Sequence, residues 1–222
     1  MAQGKNPRNV SGNGDPLSVA VNERDRGTLD LVEQAINRKG VLLAYQPVME
    51  ANRPKKTAFH EALIRVLDKN GRVIPARDFI ETVESRELGR KLDCLALELG
   101  LQTLRNNPNV RLSINLSARS MGYPPWMDVL CAGIEGDRSI AERLILEVTE
   151  ESAMLMPDLV AVFMRDLQSE GIRFALDDFG AGMTSFRHLR DFYFDILKID
   201  GQFIRNISKS TDDQVLTEAM VG

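Results

Sequence analysis

The spacing of apolar residues changes character along the chain, and those changes mark its elements. From Thr28, the stretch TLDLVEQAINRKG puts Leu29, Val32, Ala35 and Ile36 on one helical face, with Gly40 as a C-terminal stop. VLLAYQPVM is then a continuous apolar run closed by Pro47. TAFHEALIRV follows after the polar turn ANRPKK, which predicts two adjacent strands. Between residues 75 and 107, Phe79, Ile80, Val83, Leu88, Leu92, Leu95, Leu99 and Leu104 recur at three- and four-residue steps, the pattern of two amphipathic helices broken near Leu88–Gly89. Beyond it strand and helix take turns: RLSINLSA, a helix near WMDVLCAGI, RLILEVTE, a helix near LVAVFMRDLQSEG, RFALDDFG, a short helix after GAGMTS, DILKID, and a last helix in TDDQVLTEAMVG. Residues 1–27 show no sustained period and are rich in Gly, Asn, Ser and charge. They are expected to form a flexible, disordered leader, with residues 28–222 as one domain.

Alternation of strand and helix predicts an α/β fold with a parallel sheet wrapped by helices. Polar residues stand at the ends of nearly every strand. An open doubly wound sheet gathers its functional groups at one crevice, so this distribution favours a TIM-type (β/α) barrel. Six strands are legible in the sequence, whereas an eight-stranded barrel of about 250 residues needs two further strand–helix units. The expectation is an incomplete barrel with about six of eight strands, either a fragment of a longer product or a chain whose missing wall a partner supplies.

Five of the runs end on metal-capable or charged side chains: Glu61, Asn115, Glu147, the pair Asp177 and Asp178, and Lys198. Singly, each has a plain reading as a solvated loop starter, a turn residue or a helix cap. Together, at matching positions of consecutive parallel strands, they describe a centre for a divalent cation and an anionic substrate. Strand parity supports an inward arrangement, because Glu147 shares a face with Ile145 and Asp177 shares one with Ala175. Asp178 and His60 fall on the other parity; a twist after the strand would bring Asp178 back to the cluster, whereas His60 is expected to face the helices. Carboxylates and an amide carbonyl are hard donors that suit Mg²⁺ or Mn²⁺, one ion or two, and disfavour zinc. An adjacent Asp pair suits bridging two ions roughly 3.5–4 Å apart. Lys198 would hold a phosphate oxygen or the attacking water. The GAG at residues 180–182 is weak support for a phosphate nest.

Composition narrows the class further. A net charge of −4 over 222 residues gives no electrostatic reason to expect a nucleic-acid polymer as partner, although a small anion held through a cation is compatible with it. Cys94 and Cys131 lack the paired spacing of a zinc site and read as buried thiols of a reducing compartment. The longest apolar stretch near the start, residues 17–21, is too short for a signal peptide or a membrane span, so no membrane contact and a cytoplasmic location are expected. DFG at 178–180 does not make a kinase, since neither a Gly-rich loop nor an HRD loop accompanies it.

The ordered motifs YQPV (45–48), EALIR (61–65), NLSAR (115–119), LEVTE (146–150), LDDFGAG (176–182) and LKID (197–200) resemble the EAL family of cyclic di-GMP phosphodiesterases. The resemblance runs from about Thr28 to the last residue and implies a TIM-like barrel that hydrolyses cyclic di-GMP to linear pGpG with Mg²⁺ or Mn²⁺. It implies Glu61, Asn115, Glu147 and Asp177 as metal ligands, with Asp178 serving a second ion. Lys198 is the implied orienter of the hydrolytic water, and Glu150 resembles the family glutamate that holds the loop beginning at Asp178. Lys198, Glu150 and Glu61 are thus the implied catalytic residues. Gln46 and Arg65 are the implied guanine-side and phosphate-side contacts, and a homodimer is the expected assembly.

The chain also departs from the family pattern. Val66 stands where a Trp usually follows the EAL motif, and Met183, Thr184 and Ser185 replace the usual aromatic and two serines. The AEGVE-type strand, which carries a further metal-binding Glu, and the QGY-type segment do not occur before Gly222. Two other readings therefore stay beside the phosphodiesterase. One is a catalytically silent cyclic di-GMP receptor, separated by turnover against binding alone. The other is a metal-assisted barrel lyase with Lys198 as a base, separated by activity on small carbonyl acids.

Overall fold

The computed structural model describes residues 15–181 and 192–221. Helix α1 (Pro16–Asn37) leads into strands β1 (Val41–Glu50), β2 (Arg53–Leu67) and β3 (Val73–Pro75). Helices α2 (Ile80–Val83) and α3 (Glu87–Asn106) follow, then β4 (Leu112–Asn115), α4 (Pro124–Ile134), α5 (Arg138–Arg143), β5 (Leu144–Thr149), α6 (Glu150–Leu155), α7 (Pro157–Ser169) and β6 (Arg173–Phe179). The last described elements are β7 (Ile196–Ile199), α8 (Gly201–Ile204) and α9 (Thr211–Val221). The strands form one curled sheet in the order β1-β2-β4-β5-β6-β7, with β3 also paired to β2. From β2 to β7 every neighbour along this path is parallel, as the alternation predicts.

The two faces of this half-barrel differ. On the outer face Ala62, Leu112, Ile114, Leu144, Leu146, Val148, Phe174 and Leu176 are all buried against the helices. Gly100 in α3 lets that helix settle directly on Ile114 and Leu112, where a Cβ would collide with the Ile114 side chain. Trp126 and Phe163 stack at 5.8 Å between centroids, and Phe163 meets Phe174 edge-on at 6.3 Å, tying α4 and α7 to β6. A satellite cluster of Val32, Ala35, Val66, Phe79, Val83 and Leu92 seats α1 and α2 beside β2. The inner face carries a small apolar floor of Phe59, Ile145 and Ala175, with Val48 and Ile196 packed against it.

Several expectations need correction. β1 and β2 are adjacent as expected, but they stand outside the parallel order, being antiparallel with a register from Val41 opposite Val66 to Glu50 opposite Arg53. The supposed turn ANRPKK is mostly strand, because β2 already begins at Arg53. Two residues suffice to connect antiparallel strands, whereas a parallel connection needs a crossover. β3, α5 and α6 are too short to leave a period in the sequence. α1 begins at Pro16, so residues 16–27 are helical and are not part of a loose leader; residues 1–14 lie outside the described residues. The stop of α1 is made by Lys39 in the left-handed region, with φ 56°, and Gly40 follows it, its amide donating to the Ala35 carbonyl at 2.8 Å. The short helix expected after GAGMTS falls outside the described residues. Cys131, expected to be buried, is exposed on α4, and Cys94 is only partly buried.

Candidate metal centre

Register explains why the site residues meet. In β2, Phe59 lies on the inner floor and Glu61 stands two residues further along, on the same side. The same step separates Ile145 from Glu147, Ala175 from Asp177 and Ile196 from Lys198. Each polar group thus crowns an apolar column. Pairing of Glu61 with Ser113, and of Asn115 with Glu147, keeps all these side chains on one face of neighbouring strands.

The columns converge on Lys198. Its Nζ donates to Glu147 Oε2 at 2.7 Å and lies 3.0 Å from Asp177 Oδ2 and 3.5 Å from Glu61 Oε1. One oxygen from each of Glu61, Glu147 and Asp177 lies within 4.8 Å of the others, a spacing that a single cation can span. Glu147 is buried, at 1% exposure, and its Oε1 makes no well-formed hydrogen bond, although the Ser113 hydroxyl is close enough to the carboxylate to help stabilise its charge. A buried carboxylate oxygen so poorly partnered is costly unless a cation or a proton meets it. Three hard oxygen donors around such an atom fit an oxygen-preferring divalent ion.

Electrostatics in the cluster follow from burial and proximity. Burial pushes the Glu147 carboxyl above its ordinary range, opposed by the charge and hydrogen bond of Lys198. For Lys198, burial alone would lower the ammonium. Glu147, Asp177 and Glu61 outweigh it, and the net shift is upward, so the side chain is a fixed cation. Partial burial, together with Asp177 and Asp200, raises Asp178.

The remaining candidates occupy different places. Asn115 ends β4 in register with Glu147 and is exposed. Asp178 lies outside the carboxylate trio; its backbone is left-handed, with φ 55°, and its amide donates to Asp177 Oδ1 at 3.0 Å. Asp and Asn tolerate that conformation better than most residues, which lets the chain turn away after Asp177. Glu150 opens α6, is buried, and its Oε2 accepts from the Gly180 amide at 2.9 Å, so it holds the turn just beyond Asp178. Gln46 pairs opposite Glu61 and therefore shares its face. Arg65 has the parity of Glu61 but lies four residues on, beyond the level where β4 ends, and its Nη1 donates to the Ile64 carbonyl at 2.9 Å. His60 has the parity of Ala62, on the helix-covered face. Gly182 falls outside the described residues.

Sequence reasoning passed over Ser113. It is fully buried, sits in register with Glu61, and its Oγ makes no well-formed hydrogen bond but lies close enough to the Glu147 carboxylate to favour its charged form. A polar residue two places before Asn115 in an otherwise apolar run was the available signal.

The chain resembles known proteins in both sequence and fold. The sequence profile described as EAL domain matches residues 30–222, and the chain belongs to the EAL domain family. The chain is 32% identical over 196 residues to the cyclic di-GMP phosphodiesterase PdeF of Escherichia coli K12, covering 85% of this chain and 25% of that protein. It is 28% identical over 193 residues to the cyclic di-GMP phosphodiesterase PdeB of Shewanella oneidensis, covering 85% and 22%. The chain thus spans about a quarter of the length of the curated relatives it matches. Among solved structures, the PaMucR phosphodiesterase in its c-di-GMP complex superposes with a TM-score of 0.77 at 28% identity, covering 88% of this chain and 81% of that one. The half-barrel is therefore part of the TIM-like barrel class expected from the strand pattern.

Proposed function

We propose that this chain is a metal-dependent phosphodiesterase that opens cyclic di-GMP to linear pGpG. The observation that carries the reading is the convergence of Glu61, Glu147 and Asp177 on one point, with Glu147 buried beneath the Lys198 ammonium. Its relatives are described as cyclic di-GMP phosphodiesterases, and a structural neighbour is a c-di-GMP complex.

Glu61, Glu147 and Asp177, joined by Asn115, would hold Mg²⁺ or Mn²⁺, and Asp178 would serve a second ion. A divalent cation there supplies electrophilic stabilisation of the charge that develops on a phosphoryl oxygen. Lys198 orients the attacking water and holds its position through Glu147 and Asp177. The water oxygen bonds to phosphorus, the bond to one ribose oxygen breaks, and the proton that the water releases ends on that oxygen. Gln46 faces the guanine side and Arg65, overhanging the end of β4, meets a phosphate. Glu150 fixes the turn after Asp178, so that the Asp pair is presented in one arrangement. No helix among the described residues is long and apolar enough to cross a membrane, and a cytoplasmic homodimer is the assembly proposed.

Turnover of cyclic di-GMP with Mn²⁺ or Mg²⁺ tests the proposal, with linear pGpG as the product expected. Glu61→Ala abolishes that turnover with the fold retained. Unchanged turnover in this variant would refute the site assignment, and nucleotide binding without turnover in the unaltered chain would make it a silent receptor.

A further inference from the structure

The three amides that follow Asn115 are each held by a different element. Leu116 N donates to the Glu147 carbonyl at 2.8 Å, Ser117 N approaches Asp93 Oδ2 at 3.4 Å, and Ala118 N donates to Ser152 Oγ at 2.8 Å. Asp93, on α3, is itself fastened by the Ser120 hydroxyl at 2.6 Å, so the loop after β4 is gripped from both sides. Ser152 belongs to the short helix α6, whose start is fixed by Thr149 Oγ1 accepting from the Ser152 amide at 3.1 Å. Two residues earlier in that helix, Glu150 accepts from Gly180 in the loop after β6. The six residues from Glu147 to Ser152 therefore contribute a carboxylate to the trio and touch the loops that follow Asn115 and Asp178.

We infer that Ser152 is a positioning residue that sets the place of Asn115 in the metal centre, by anchoring the Ala118 amide to the helix that also holds the Asp178 turn. Ala118 is buried, so its amide has no water to fall back on when the hydroxyl is removed. Loss of that anchor loosens the backbone three residues from Asn115 while leaving every oxygen donor chemically intact. Outer partners of metal ligands typically govern affinity by 10–100-fold.

The inference rests on the metal-centre reading, and its test separates the two. Binding of Mn²⁺ alone is measured by titration calorimetry or by the loss of the free-ion electron paramagnetic resonance signal, for the full chain and its Ser152→Ala, Ser152→Thr and Glu147→Gln variants. Glu147→Gln is expected to lose the ion. Ser152→Ala should weaken Mn²⁺ by about tenfold and speed hydrogen exchange at the Ala118 amide. Ser152→Thr, which keeps the hydroxyl, should restore both. A merely structural serine would lower the unfolding midpoint and leave the affinity of the folded protein unchanged. Wild-type affinity in Ser152→Ala, with binding lost in Glu147→Gln, overturns the role of Ser152 alone. Wild-type affinity in Glu147→Gln overturns the metal centre and the Ser152 role with it. Should Ser152→Ala fail to fold, Ser152→Cys preserves the shape with a weak acceptor; the same loss is expected, and wild-type affinity contradicts the inference.

Discussion

Leu146 and Glu147 are neighbours on β5, both buried, and they serve opposite faces of one sheet. Leu146 belongs to a continuous apolar layer sealed by helices. Glu147 rises from the floor made by Phe59, Ile145 and Ala175 into a cluster of like charges held together by Lys198. The outer face gains from every atom removed from water. The inner face concentrates charge where burial disfavours it, and the upward shift of Glu147 records that cost. Stability is drawn from one side of each strand and the proposed chemistry from the other, with a spacing of a single residue between them.

The sharpest way to break this comparison is to alter the two neighbours separately. Glu147→Gln, close in shape to the original, is expected to lower cyclic di-GMP turnover by more than about 100-fold, beyond the effect of removing an outer partner of a metal ligand. Because Lys198 keeps Asp177 and Glu61 as partners, it should cost less than the roughly 3 kcal/mol at which a buried charge stripped of its partner begins to destabilise. Leu146→Ala reverses the pattern. It should cost about 2–5 kcal/mol in denaturant unfolding, with the catalytic rate of the remaining folded protein little altered. If Leu146→Ala were neutral, or Glu147→Gln strongly destabilising, the division of labour between the faces would fail.

Asp93 sharpens the comparison, because it is an acid set among the helices and away from Lys198. Burial pushes it up to about 7, against the hydrogen bonds from Ser120 and Ser117 that favour its ionised form. A carboxyl raised in the folded state favours folding most when both states are protonated, below about pH 4. That contribution is lost as pH rises from there through about 7. Asp93→Asn, which keeps an acceptor for the loop, should flatten the fall in unfolding midpoint between pH 4 and 8. It should also leave the midpoint at pH 8 above that of the unaltered chain. An unchanged slope would place the pH sensitivity of stability elsewhere.

How far all this could be read beforehand depends on what kind of order each feature has. Strand parity is a period-two signal, and it placed Glu147 over Ile145 and Asp177 over Ala175 before any coordinates. The parallel order from β2 to β7 followed from the alternation of strands with helices long enough to cross the sheet. Lys198 was visible as a polar break in an apolar run. Its simultaneous engagement with Glu147, Asp177 and Glu61 was not, because that depends on how far the sheet curls. The antiparallel β1 escaped notice because its connection hides inside a polar stretch that is itself strand. The grips of Asp93 and Ser152 on the loop after Asn115 join residues 24 and 34 positions apart, through side chain to backbone contacts that leave no periodic trace.

The most direct measurement is the anomalous diffraction of crystals grown with Mn²⁺. The account predicts a strong peak within about 2.5 Å of oxygens from at least two of Glu61, Glu147 and Asp177, with Lys198 drawn aside from the shared point. No peak among these three carboxylates at an Mn²⁺ concentration that supports turnover, or a peak held by other residues, would contradict it.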